Sequence, residues 1–177
     1  MDAIVNQPVI ETARLVLRPL RRSDAGLLEM YGADERVARM TRSIPHPLPP
    51  GATDALITRA LAEDRAEDIW ILDGSTRGLG EVLGLMALER MDRDQSEIGY
   101  WIGPSFWNTG LASEAVTALV NANPLDNKTM FASVFQDNPA SARVLTNTGF
   151  EYLGDAETFS VSRGATVPTW TYLKRLG

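Results

Sequence analysis

Glu97 to Val116 reads EIGYWIGPSFWNTGLASEAV, and the fold follows from how this stretch divides. Glu97 to Gly103 is rich in aromatic and β-branched residues and reads as a short strand, interrupted by Gly99. Pro104 to Thr109 is a turn-forming loop. From Gly110 onward the chain is helical, with Leu111, Ala115 and Leu119 at i, i+4 and i+8 on one face. The first amide groups of such a helix have no partner inside it and point back at the loop. The helix dipole adds partial positive charge there. A phosphate or pyrophosphate fits that position without a charged side chain.

Outward from this centre, the chain is an alternation of strands and helices. Thr12 to Arg18 reads as a first strand, with Leu15 and Leu17 alternating against Arg14, Val16 and Arg18, and Pro19 ends it. Ser23-Asp24 opens a helix with Leu27, Leu28 and Tyr31 on its apolar face. Asp34 to Met40 reads as a second short helix. Ile44 to Gly51 (IPHPLPPG) holds four prolines, which forbid helix and central strand. It reads either as a wall or lid of a binding site or as an ordinary connector, and His46 within it as an exposed loop residue or a proton acceptor. Thr53 to Ala66 is amphipathic, with Leu56, Ile57, Ala60 and Leu61 inward. Ile69 to Leu72 and Glu81 to Glu89 read as strands, the second buried on both faces. After the central helix come a strand at Thr129 to Phe135 and a helix opened by Asn138-Pro139 and closed at Asn147 to Gly149. Two closing strands follow, Phe150 to Val161 and Thr169 to Lys174. Short turns between the early strands point to an antiparallel meander, and the helix after Gly110 to a parallel crossover.

Composition bounds the chemistry. The 177 residues suit one domain with a single sizeable core, spanning 1–177. There is no Cys, so no disulfide, thiolate nucleophile or Cys-based metal site is expected, and the lone His46 leaves no His cluster for a metal. The net charge of −6 argues against nucleic-acid binding and weakly favours a cationic partner. No apolar run of membrane-spanning length occurs, and Met1 to Ile10 lacks the pattern of a secretory leader, so a cytoplasmic protein is expected. Nothing specifies an oligomer interface, leaving monomer and homodimer both open.

The Gly-x-Ala step at Gly110-Leu111-Ala112, opening a helix after Glu97-Ile98-Gly99-Tyr100-Trp101, resembles the acyl-CoA loop of the GNAT N-acetyltransferases, above all the branch of ribosomal-protein N-terminal acetyltransferases. ETARLVLRPLRRSDAGLLEMY resembles the N-terminal opening of that branch. Asn138-Pro139-Ala140-Ser141, with Val144-Leu145 and Gly149-Phe150, resembles its second signature. Trp107 holds the loop position usual for the branch. Asn108 stands where Gly is common, and Thr109 where Lys or Arg is common. A Lys is also frequent where Asn147 stands.

The resemblance implies a mixed α/β domain whose central, mostly antiparallel sheet of about seven strands is flanked by helices. In it the parallel strands Glu97–Gly103 and Thr129–Phe135 splay apart to admit pantetheine. It implies acetyl-CoA as co-substrate, no metal, and direct transfer to the amine of a protein N-terminus or a small molecule. The cofactor-binding residues it implies are Trp101, Ile102, Gly103, Trp107, Asn108, Thr109, Gly110, Leu111, Ala112, Ser113 and Asn138.

Many members carry a Tyr seven residues after the Asn to protonate the departing thiolate. Leu145 stands there. In the branch that this chain resembles a Ser sits three residues after the Asn, and the resemblance makes Ser141 the candidate for hydrogen bonding to the thioester sulfur and assisting its departure. Glu97 is the candidate general base and the strand backbone near Tyr100 or Trp101 the candidate oxyanion donor. Each residue also has a purely structural reading. Glu97 can be a solvated strand-start carboxylate, Asn138 a helix cap, Ser141 a local backbone partner, and Trp101, Phe106 and Trp107 core aromatics. Strand alternation groups Glu97 with Gly99 and Trp101 and puts Tyr100 on the other face, unless a bulge at Gly99 changes the count. The rival from another class is a non-catalytic acyl-CoA-binding sensor. A P-loop nucleotide enzyme fails, for the Gly-x-x-x-x-Gly-Lys pattern is absent.

Overall fold

A computed structural model describes residues 7–176; residues 1–6 of the stretch read for a leader, and residue 177, lie outside them. One eight-stranded sheet runs through the molecule in the order β1-β2-β3-β4-β5-β6-β8-β7. The strands are β1 Ile10–Glu11, β2 Val16–Pro19, β3 Glu67–Asp73, β4 Gly84–Met91, β5 Gln95–Ile102, β6 Thr129–Phe135, β7 Glu151–Ser160 and β8 Ala165–Arg175. All neighbours are antiparallel except β5 and β6. The helices are α1 Ala25–Gly32, α2 Glu35–Ala38, α3 Ala52–Leu61, α4 Leu111–Ala122 and α5 Pro139–Asn147.

The expected architecture is present with one strand more than the seven read from the sequence. The expected strand Thr12 to Arg18 divides, because Thr12 turns the chain: its amide donates to the Leu15 carbonyl at 2.8 Å and its hydroxyl accepts from the Leu15 amide at 2.9 Å. Ile10–Glu11 then pairs back on β2, too short to show an alternating pattern of its own. The strand expected over Glu81 to Glu89 is shifted to Gly84–Met91, leaving Val82 and Leu83 buried in the approach loop. The helix expected over Thr53 to Ala66 stops at Leu61.

Period-two alternation sorts the sheet's side chains onto two cores. On one face Ile69 and Ile71 of β3, Leu85 and Ala87 of β4 and Trp101 of β5 pack beneath α1, α2 and α3 through Leu28, Val37, Ile57 and Ala60. On the other, Trp70 and Leu72, Met86 and Leu88, and Ile98 and Ile102 meet Leu111, Ala115, Val116 and Leu119 of α4 and Leu145 of α5. The β4–β5 register runs without a slip from Gly84↔Ile102 to Met91↔Gln95, so Gly99 carries no bulge. Glu97, Gly99 and Trp101 therefore face α1–α3, and Ile98, Tyr100 and Ile102 face α4 and α5.

Arg18, expected on the polar side of its strand, is only 4% exposed. It donates to both Asp24 oxygens at 2.9 and 2.8 Å and to Asp73 at 2.8 Å, joining β2, the turn before α1 and the end of β3. Burial alone pushes the Asp73 carboxyl up, but the Arg18 and Ser75 hydrogen bonds outweigh it and hold the group below the usual carboxylate range. Arg18→Met strands two buried carboxylates and is expected to cost about 3–5 kcal/mol in urea unfolding. A depressed carboxylate stabilises the fold fully above its unfolded value of about 3.9, and the gain disappears as pH falls through the lower folded value. Wild-type stability is thus expected to drop on acidification below about pH 4, and R18M to show a shallower drop. Equal stability of the two proteins at neutral pH would contradict this role.

Candidate active site

The parallel ladder between β5 and β6 is short. It joins Gln95 to Thr129, Ser96 to Met130 and Glu97 to Phe131, and there it ends. Beyond that fork β5 continues to Ile102 against β4, and β6 continues to Phe135 against β8. Each strand keeps its outer partner while the inner edges diverge. A cavity of about 420 Å³ occupies the gap. Its walls are the splayed segments (98–102 and 132–134), the loop and first turn of α4 (106–113), and one side of α5 from its cap Asn138 to Asn147. Val37 and Met40 close the end on the α1–α3 side.

Two helices begin at this gap. Gly110 is the N-cap of α4 with φ of +80°, a left-handed conformation that glycine adopts without strain. The unpaired amides of Leu111, Ala112 and Ser113 follow it, all on the cavity wall. Asn138 caps α5, its side-chain oxygen accepting from the Ser141 amide at 3.3 Å. The α5 C-terminus closes as the sequence indicates. Gly149 has φ of +94°, the Phe150 amide donates to Leu145 O at 2.9 Å, and the Gly149 amide to Thr146 O at 3.2 Å, a Schellman closure.

Most residues read as cofactor-binding converge here. Trp101, Ile102, Trp107, Asn108, Thr109, Gly110, Leu111, Ala112, Ser113 and Asn138 all line the cavity, and so does Ser141, the candidate catalytic serine. Gly103 does not: its amide extends the ladder to Leu83 O at 2.8 Å, and a Cβ there would stand 2.6 Å from the Tyr31 ring. Trp101 serves both readings, packing in the α1–α3 core with its ring 5.8 Å from Tyr31 while touching the cavity. Trp107 is 40% exposed and anchored by its indole N–H, which donates to Ile102 O at 2.7 Å.

Glu97 sits at the fork but does not line the cavity. Its carboxylate lies 3.4 Å from the Arg42 guanidinium, which also bonds Glu89 at 3.1 Å. Burial raises the Glu97 pKa, Arg42 opposes the rise, and Glu89 adds to it; the net shift is upward. Cross-strand register sets Glu67, Glu89 and Glu97 side by side on the α1–α3 face. The proline-rich segment Ile44 to Gly51 packs Leu48 near Gly32 on α1 and contributes nothing to the cavity wall; His46 in it is exposed.

Two features escaped sequence reading. The Tyr100 hydroxyl lies 2.9 Å from Ser141 Oγ across the gap, and burial pushes its pKa up to about 12. It therefore stays protonated near neutrality. The period-two count places Tyr100 on this face, but the partner 41 residues away has no local signal. The second is Arg14. Its Nη1 donates to Thr109 O at 2.9 Å, and its Nε and backbone N–H both bond Glu114 of the first α4 turn at 2.8 Å. Arg14 thus fastens the loop to the helix it precedes and brings a cation beside a loop that has none of its own. Among the described residues no group of three or more His, Cys, Asp or Glu side chains can hold a metal, and no helix is long and apolar enough to cross a membrane.

Comparison with known proteins agrees with this geometry. Residues 14–151 match the profile of the acetyltransferase (GNAT) domain. The chain is 30% identical over 173 residues to YoaA of Bacillus subtilis (strain 168), an uncharacterized N-acetyltransferase, covering 93% of this chain and 95% of that one. Among solved structures, RimL, a ribosomal protein α-N-acetyltransferase in complex with coenzyme A, superposes with a TM-score of 0.81 at 18% identity, covering 96% of this chain and 98% of its own. The spermidine N-acetyltransferase of Vibrio cholerae, in complex with CoA and spermine, does so with 0.79 at 15%, covering 93% and 97%. With the family profile spanning both helix starts and the fork between them, the chain belongs to the GNAT acetyltransferases.

Proposed function

We propose that this chain transfers the acetyl group of acetyl-CoA directly to a primary amine. The observation that carries the reading is the fork itself: an opening between two parallel strands, with the free amides of α4 at one end and α5 capped beside it. The diphosphate of the carrier takes the Leu111–Ser113 amides. Its pantetheine arm lies along residues 98–102, whose inner peptide edge has no strand partner. An extended amide-bearing arm supplies the hydrogen bonds that edge lacks. The thioester then lies near Tyr100 and Ser141, and the acceptor enters from the side of Val37 and Met40.

The neutral amine nitrogen attacks the thioester carbonyl carbon. A backbone N–H near Tyr100 or Trp101 receives the developing oxyanion. The carbon–sulfur bond breaks, the sulfur takes a proton from Ser141 Oγ, Tyr100 passes its own proton to Ser141 across their 2.9 Å contact, and the proton shed by the new amide nitrogen returns to Tyr100 through water. Tyr100 is not the base, since it is not ionised near neutrality. The ammonium proton leaves through water to Glu97, whose raised pKa makes it a better base than a free carboxylate. The glutamate row on that face favours a cationic acceptor, partly offset by Arg42. The structural neighbours named for ribosomal protein and spermidine support an amine acceptor, either a protein N-terminus or a small amine.

Incubation with acetyl-CoA and a panel of peptide N-termini, polyamines, amino acids and amine drugs, followed by free thiol, tests the reading. Acceptor-dependent release is expected. CoA binding without release from any acceptor would instead indicate a non-catalytic acyl-CoA sensor. With a working acceptor, Ser141→Ala is expected to lower kcat about 10²-fold with little change in KM for acetyl-CoA. Glu97→Gln is expected to lower kcat/KM about 10²–10⁴-fold. In wild type, activity should rise with pH through a group titrating above the usual Glu range, because the base works only when ionised. An acidic limb that survives in E97Q would remove Glu97 from this role.

A further inference from the structure

Of all the side chains on the cavity wall, one is charged near neutral pH: Arg143. It is the fifth residue of α5, on the turn after Ser141 and four residues before Asn147, which lines the cavity with it. Helical side chains lean toward the helix N-terminus, so the guanidinium is carried toward the gap rather than away from it. Across the mouth stand Asn108, Thr109, Gly110 and the α4 amides. Eight other arginines of the chain have carboxylates within 4.0 Å: Arg14, Arg18, Arg36, Arg39, Arg42, Arg65, Arg90 and Arg163. Arg143 has none among the described residues, and neither have Arg21, Arg22, Arg59, Arg77, Arg93 and Arg175, but of these seven only Arg143 lines the cavity. Nor does its side chain hydrogen-bond to any of the described residues; the Thr146 hydroxyl donates to its backbone carbonyl at 3.2 Å. An exposed arginine without a carboxylate, on the wall of the same cavity as free helix-terminal amides, is a half-built anion clamp. Its planar fork matches two oxygens of a phosphate, which a lysine cannot do.

We propose that Arg143 is the charged contact for a phosphate group of the acyl carrier, closing on it from α5 while α4 holds it with amides. This rests on the acyl-CoA reading above and assigns the recognition of the carrier's charged end to a named side chain. Coenzyme A bears two kinds of phosphate, the diphosphate linking its halves and the 3′-phosphate on the ribose, and Arg143 can serve either.

Calorimetric titration of the full chain with CoA and with 3′-dephospho-CoA, in wild type, R143Q and R143K, decides. A charge-assisted hydrogen bond of this kind corresponds to about tenfold to a hundredfold in affinity. R143Q is expected to bind CoA weaker by that factor and to show a smaller loss of affinity with added salt than wild type. R143K, which keeps the charge without the fork, should fall between them. An equal loss with both ligands assigns the contact to the diphosphate, and a loss with CoA alone assigns it to the 3′-phosphate. Unchanged affinity of R143Q for both ligands overturns the proposal while leaving the acyl-CoA reading intact. Failure of the wild type to bind CoA overturns the reading itself. Arg143 is exposed, so the thermal melt of R143Q should match wild type and separate lost binding from lost fold.

Discussion

The early end of one strand pairing governs this molecule. Parallel strands β5 and β6 are hydrogen-bonded for three residues and then part at Glu97 and Phe131. A break in the middle of a sheet leaves peptide groups without partners, which is costly unless something else meets them. The outer neighbours make the break sustainable: β4 holds β5 through Ile102, and β8 holds β6 through Phe135. The sheet is thus kept rigid on both sides of an opening that water or an extended ligand can enter. The two helices that cover this face start at the rim of that opening, so their unsatisfied amides and positive dipole ends converge on it.

The same break divides the chemistry between two faces. Because β5 alternates without a bulge, Tyr100 points toward α4 and α5 and meets Ser141, while Glu97 points toward α1–α3 and meets Arg42. Burial acts on both groups in the same direction and with different consequences. It keeps Tyr100 protonated near neutrality, and it makes Glu97 more basic than an exposed carboxylate. Arg14 and Glu114 brace the loop between them from outside, tying β2's approach to the first turn of α4.

What could be read from the sequence was what local physics determines. Both ends of α5 were legible, since Asn138-Pro139 and Gly149 act on backbone groups within a few residues of themselves. The apolar face of α4 was legible from the spacing of Leu111, Ala115 and Leu119, all of which are buried. The double burial of β4 was legible from its unbroken apolar run. The hairpin before β2 was not, because a two-residue strand has no periodicity. The burial of Arg18 was not, because its partners Asp24 and Asp73 assemble only when β3 is in place, 55 residues later. The contacts of Tyr100 with Ser141 and of Arg14 with Thr109, 41 and 95 residues apart, belong to the tertiary fold alone. A family likeness named the loop and Ser141. It left Leu145 where many members carry a tyrosine; the hydroxyl that the neighbouring strand brings to α5 is that of Tyr100, and it meets Ser141.

The central claim is that the α4 amides and the unpaired edge of β5 together receive an acyl carrier. Backbone amide resonances of isotope-labelled protein, followed as CoA is added, report on both at once. Saturable shifts concentrated at Gly110–Ser113 and at Gly99–Ile102 are the expected result. Saturable shifts elsewhere, with these two segments unmoved, would contradict it.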